Sequence, residues 1–145
     1  MREDRPADVV DLHAAITELG RVLRRMAGER ILLRTKIDPR LGRVEADPGE
    51  IHWAFVYLAM NASDAAPSGG ELTLAAANID LDEAAARHLK LPPGPYIRIA
   101  FTVTGGGMLI PDRAREIIRR AQGAVFVAGE RGSTVSVVLP RARGR

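Results

Sequence analysis

The stretch from Asp47 to Ala66 constrains this chain most, because its pattern fits one secondary structure only. Asp47 is an N-cap residue, Pro48 suits a first helical position, and Glu50 three residues on completes a capping-box-like pattern. Ile51, Ala54, Phe55, Leu58, Ala62 and Ala65 then recur at helical spacing, and Pro67-Ser-Gly-Gly70 ends the run. A helix this apolar belongs in a core. Asn61 and Asp64, three residues apart, share one side of its far end. Polar groups placed there need partners, or they face a pocket.

The rest of the chain arranges itself around that helix. Asp11 caps a first helix from Leu12 to Ala27, whose stripe is Leu12, Ala15, Ile16, Leu19, Val22, Leu23 and Met26, with Gly28 as its stop. Residues 30–38 and 41–46 read as strands. Residues 70–80 alternate Leu72, Leu74 and Ala76 with small or polar neighbours, a half-buried strand. A short polar helix over 82–90 and a stiff Pro92-Pro-Gly-Pro95 turn lead to a strand over 96–104. Gly105-Gly-Gly107 breaks that strand. A helix follows from Pro111 to about Gln122, with an apolar stripe of Ile110, Ala114, Ile117, Ile118 and Ala121. A hairpin of 124–128 and 133–139 crosses Gly129 to Gly132. This order predicts an α/β fold: a two-layer sandwich, a mixed sheet with helices on one face.

Composition excludes several function classes. The 145 residues are one domain by default, and 46% hydrophobic residues suffice for a core. The absence of cysteine excludes disulfides and thiol chemistry, and fits a reducing compartment. No apolar run approaches the roughly 20 residues of a membrane helix, so the expectation is a cytoplasmic domain with no membrane segment. The net charge of +3 is carried late, from Arg113 to Arg145. Nothing there reads a nucleic-acid groove, so a solvated surface or a partner with an acidic face is expected. His52 and His88 have no second ligand at metal spacing. The ends, 1–8 and 141–145, are expected to be flexible.

Asn61-Ala-Ser-Asp-Ala65 resembles the N box of the sensor histidine kinase ATPase domain, the Bergerat or GHKL type. Glu45-Ala-Asp-Pro48, Ser68-Gly-Gly-Glu-Leu-Thr73, Leu91-Pro-Pro-Gly-Pro-Tyr96 and Gly132-Ser-Thr-Val135 resemble further phrases of that family, in the family's order. The resemblance implies the Bergerat fold over nearly the whole chain. It also implies ATP as ligand, with magnesium held by Asn61 and with Asp64, Gly105 and Gly107 at the nucleotide.

The same resemblance exposes departures. Tyr57 stands where the family has its first N-box Asn. Val103 stands where the first glycine box has the Asp that accepts from the adenine amino group. An unmet amino group there costs about 1–3 kcal/mol. The mobile lid and second glycine box have no counterpart between Gly107 and Gly123. Their amides at a helix N-terminus cradle phosphates in the family. Arg113 or Arg115 could meet a phosphate. The competing expectation is that Asn61 pairs with backbone and the glycines form a tight strand-to-helix turn. No catalytic residue is assigned.

The expected function is thus a degenerate ATPase-like domain acting as a regulatory or docking module in two-component signalling. Its partner would be a kinase, a response regulator or another copy of itself. One alternative is a minimal ATP- and magnesium-binding kinase domain that phosphorylates a separate chain. The other is an oligomerisation module using an exposed apolar face near Val103, Met108, Leu109 and Ile110.

Overall fold

A computed structural model describes residues 8–142. It has seven strands and four α-helices: β1 (Val9–Asp11), α1 (Leu12–Ala27), β2 (Leu32–Ile37), β3 (Arg43–Glu45), α2 (Pro48–Ala65), β4 (Glu71–Leu81), α3 (Glu83–Leu89), β5 (Gly94–Val103), α4 (Asp112–Arg120), β6 (Ala124–Ala128) and β7 (Thr134–Pro140). A five-stranded sheet runs β2-β4-β5-β7-β6, and β1 pairs with β3 in a separate two-stranded ribbon. β2 and β4 are parallel, whereas the other pairings are antiparallel. This is the mixed α/β sandwich expected from the order of elements. The β1–β3 ribbon was not foreseen, because three residues with one inward side chain, Val10, leave no readable alternation.

The local signals act as their chemistry dictates. Asp11 accepts from the Ala14 amide, and Asp82 accepts from the Ala85 amide. Asp47 accepts from the amides of Gly49 and Glu50 at 2.8 and 3.2 Å. The capping box is only half made, however. Glu50 does not turn back to the cap but meets Arg120 of α4 at 2.9 Å. Pro111 precedes α4 as its N-cap, one position earlier than expected.

The helical layer and the sheet share one core. Leu12, Ile16 and Leu23 of α1, Ile51, Phe55 and Leu58 of α2, and Ile117 and Ile118 of α4 meet Leu72, Leu74, Ile97, Ile99, Phe101, Val135, Val137 and Leu139. A smaller cluster of Leu81, Ala86, Tyr96 and Val138 seats the short α3. β5 pairs Tyr96 with Pro140 at one end and Thr102 with Thr134 at the other. The sheet therefore has two distinct ends: one carries the Gly105–Gly107 run, the other the Pro-rich turn. Of the expected flexible ends, residues 1–7 and 143–145 lie outside the described residues. Arg141 and Ala142 donate backbone hydrogen bonds to Pro95 and Arg43.

Candidate functional site

The end of α2 is held from two directions. The Arg30 guanidinium donates to the carbonyls of Ala66 and Ser63 and to the Ser63 hydroxyl, at 3.0 to 3.1 Å. It thereby satisfies carbonyls that a helix C-terminus leaves without intrahelical partners. On the other side, Asn61 Oδ1 accepts a hydrogen bond from the Leu109 amide at 2.7 Å. Asp64 points out at the exposed end of the same helix, and no hydrogen bond or ion pair engages its side chain among the described residues. The two N-box residues are thus one turn apart but do different things.

The segment after β5 is a short strap from Gly105 to Pro111. Gly105, Gly106 and Gly107 have φ of 96°, 90° and 81°, a region that L side chains rarely adopt. This lets the strap fold back onto the 3-10 turn at Glu130–Gly132. There the Gly107 amide donates to the Arg131 carbonyl at 2.8 Å, and the Met108 amide donates to the Gly132 carbonyl at 3.0 Å. A Cβ on Gly106 would come within 2.4 Å of the Arg131 carbonyl oxygen. Three successive strap amides, those of residues 107, 108 and 109, therefore have protein acceptors.

Burial corrects one expectation. Val103 and Met108 are each only 3% exposed and join the main core, whereas Leu109 is 68% exposed. The strap turns Met108 inward and packs Ile110 partly against the core, so it covers the core beyond β5. The exposed apolar surface lies beside it, on the outer face of α2. Trp53 (54% exposed) stacks against Tyr57 with ring centroids 5.8 Å apart, and Met60 continues the ridge. Phe55, by contrast, is buried.

Four surface clefts lie elsewhere, and none is lined by Asn61, Asp64, Gly105 or Gly107. Arg113 and Arg115 are both exposed, and Arg115 lines a cleft with Lys90 and Tyr96 rather than the strap. Among the described residues no three His, Cys, Asp or Glu side chains gather as a metal site. The sequence reading missed Arg30 as the clasp on α2 and the Leu109 amide as the partner of Asn61. It placed Leu109 on an exposed apolar face, and at 68% it is exposed.

No family model matches the chain. It is 36% identical over 102 residues to the sensor kinase CckA of Brucella abortus, which covers 70% of this chain but only 11% of that protein. Its structure is similar to a mycobacterial sensor histidine kinase, MprB, with a TM-score of 0.72 at 17% identity, covering 93% of this chain and 97% of that one. The chain has the histidine-kinase ATPase-like fold. The catalytic domain of the histidine kinase ThkA superposes with a TM-score of 0.71 at 17% identity, covering 94% and 97% of the two chains. Full-length ShkA in complex with AMPPNP gives 0.72 at 18% identity, covering 95% of this chain and 32% of that one. Among the described residues no helix is long and apolar enough to cross a membrane.

Against that fold the donor set can be weighed for ATP and magnesium. Asn61 is the N-box amide, and its oxygen is already shared with Leu109. Gly105 and Gly107 allow a close backbone approach, but the Gly107 and Met108 amides are already bonded. Val103 offers no acceptor to an adenine amino group, since its side chain is buried hydrocarbon. Val103 and the bonded Gly107 and Met108 amides thus do not supply adenine or phosphate contacts, whereas the Asn61 oxygen keeps a second lone pair and Asp64 has no partner among the described residues.

Proposed function

We propose that this ATPase-like domain is a non-catalytic regulatory or docking module in two-component signalling. It keeps the kinase scaffold and uses its surface rather than a nucleotide. The observation that carries this reading is the Asn61–Leu109 hydrogen bond. In the family pattern that amide is the one expected to hold magnesium, and here it anchors the strap that stands in the lid's place. Positioned charge stabilisation is what phosphoryl transfer requires, and Asn61 and the strap amides of Gly107 and Met108 are engaged in the fold instead. The partner is a protein: a kinase, a response regulator or a second copy. Kinship to a region of a sensor kinase supports that class.

Calorimetric titration with magnesium–ATP, and with ADP as a second ligand, tests the reading. Absence of heat and of any melting shift at millimolar nucleotide is the expected result. Micromolar binding that needs magnesium and is lost in Asn61→Ala would overturn it. Asn61, Asp64, Gly105 and Gly107 would then be the ligand-holding residues of a minimal kinase domain.

A second reading, self-association, is favoured by the exposed Trp53 and Met60 of α2, with the half-buried Tyr57 between them, and by the exposed Leu109 of the strap. Exposed apolar surface is a common interface signature. Light scattering that finds a monomer at all concentrations sinks this second reading alone.

A further inference from the structure

The end of the sheet opposite the strap carries a half-open cleft of about 750 Å³, between the turn after α3 and the C-terminal half of α4. Its walls include Leu91, Tyr96, Ile118 and Val125, and its rim holds Lys90, Arg115 and Arg119, with no acidic residue in the lining. Arg115 and Arg119 are one helical turn apart on α4. Like charges at that spacing destabilise a helix. Among the described residues, no carboxylate lies within 4.0 Å of any of the three cations. The contrast with the adjacent Arg120 is direct, since that side chain meets both Glu50 and Glu116.

The rim is also built, not merely left over. Lys90 ends α3 as its left-handed C-cap, and Gln122 at φ 68° turns the chain out of α4, so two helix ends fix this edge of the cleft. Tyr96 is fixed by donation of its hydroxyl to the Pro92 carbonyl at 2.7 Å, which holds the Pro-rich wall in place.

We propose that this cleft docks an acidic segment of a partner protein. Its carboxylates would engage Lys90, Arg115 and Arg119, and an adjacent apolar side chain would enter between Leu91, Tyr96 and Ile118. Charge complementarity selects the occupant: a three-cation rim without counter-charge over an apolar floor suits alternating acidic and aliphatic residues. The inference rests on the docking reading above and names the partner's chemistry.

The test titrates a fluorescein-labelled peptide, Asp-Glu-Leu-Asp-Leu-Glu, into the full chain and follows anisotropy. Saturable binding is expected, weakened about tenfold by Arg119→Glu, the loss of one charge-assisted contact. Arg113→Glu, on the same helix but outside the cleft, should leave it within about twofold. The amide analogue Asn-Gln-Leu-Asn-Leu-Gln should not bind. Both variants are surface changes, checked by unchanged melting. Equal weakening by Arg113→Glu, or no binding of the acidic peptide, overturns the proposal. Competition by inorganic pyrophosphate as tight as the peptide, and dependent on Arg119, also overturns it in favour of a small-anion site. Magnesium–ATP binding that depends on Asn61 would defeat the docking reading while leaving the peptide result to be judged by itself.

Discussion

Asn61 Oδ1 and the Leu109 amide lie 2.7 Å apart, joining the far end of α2 to the strap that follows β5. One hydrogen bond therefore couples a helix to a connection that has no regular structure of its own. Removing the acceptor leaves the Leu109 amide to water or to nothing. Asn61→Ala should lower the unfolding free energy by about 1 kcal/mol, read from a shift of the denaturant midpoint at constant slope. Asn61→Asp keeps an oxygen in place and should recover most of that loss. If the role were magnesium binding alone, Asn61→Ala would leave the metal-free stability unchanged.

The three glycines of the strap should not be equivalent. A Cβ at Gly106 meets the Arg131 carbonyl oxygen at 2.4 Å, whereas one at Gly107 meets nothing within 4 Å. Both have positive φ. Gly107→Ala is expected to cost about 1–2 kcal/mol, the backbone term alone. Gly106→Ala adds a steric conflict with backbone and should cost about 3 kcal/mol or more. Thermal melts of the two variants side by side check the order. Equal losses would refute the packing of the strap on the 3-10 turn.

Restoring the family's acidic residue should not restore nucleotide binding. Val103 is buried at the end of β5, and Val103→Asp would place a carboxylate there without a partner. Loss of several kcal/mol of stability is expected, with no ATP heat in calorimetry, because the neighbouring amides stay engaged. A well-folded Val103→Asp variant that binds ATP would show that one substitution separates this domain from a working site.

Tyr96 provides a pH signature. Burial pushes its phenol above the ordinary value of 10.0. The folded state therefore favours the protonated form more than the unfolded chain does. Its contribution is fully present below the unfolded pKa and is lost as pH rises through the raised folded value. Stability should fall above about pH 10, and less steeply in Tyr96→Phe, which also forfeits the bond to Pro92. Denaturant midpoints across alkaline pH give the measurement.

The fold was legible because its signals were redundant. Asp11, Asp47 and Asp82 each sat at a helix start, and Leu72, Leu74 and Ala76 alternated through a strand that the structure pairs on both sides. The site was less legible, because its contacts cross long stretches of chain. Arg30 meets Ser63 over 33 residues, and Asn61 meets Leu109 over 48. No local pattern announces such pairs. That Asn61 can pair with backbone follows from its amide, whereas its partner, the Leu109 amide 48 residues on, leaves no mark in the local sequence. Exposure of Met108 was misjudged for a related reason: alternation in a strap of irregular φ has no fixed period. Trp53 falls on the outer face because the α2 stripe is narrower than its overall hydrophobicity suggests.

α4 begins where the strap ends and finishes beside Arg119, at the rim of the cleft on the far side of the sheet. Nine helical residues span about 14 Å as a stiff rod. In a kinase domain with a lid, a loop that opens and closes would stand between the glycine box and this helix, and movement at one end could be absorbed there. Here Met108 to Pro111 alone join the glycine run to α4. The helix thus sets a fixed span between two features of the surface: the strap that Asn61 holds through the Leu109 amide, and Arg119 at the rim of the cleft.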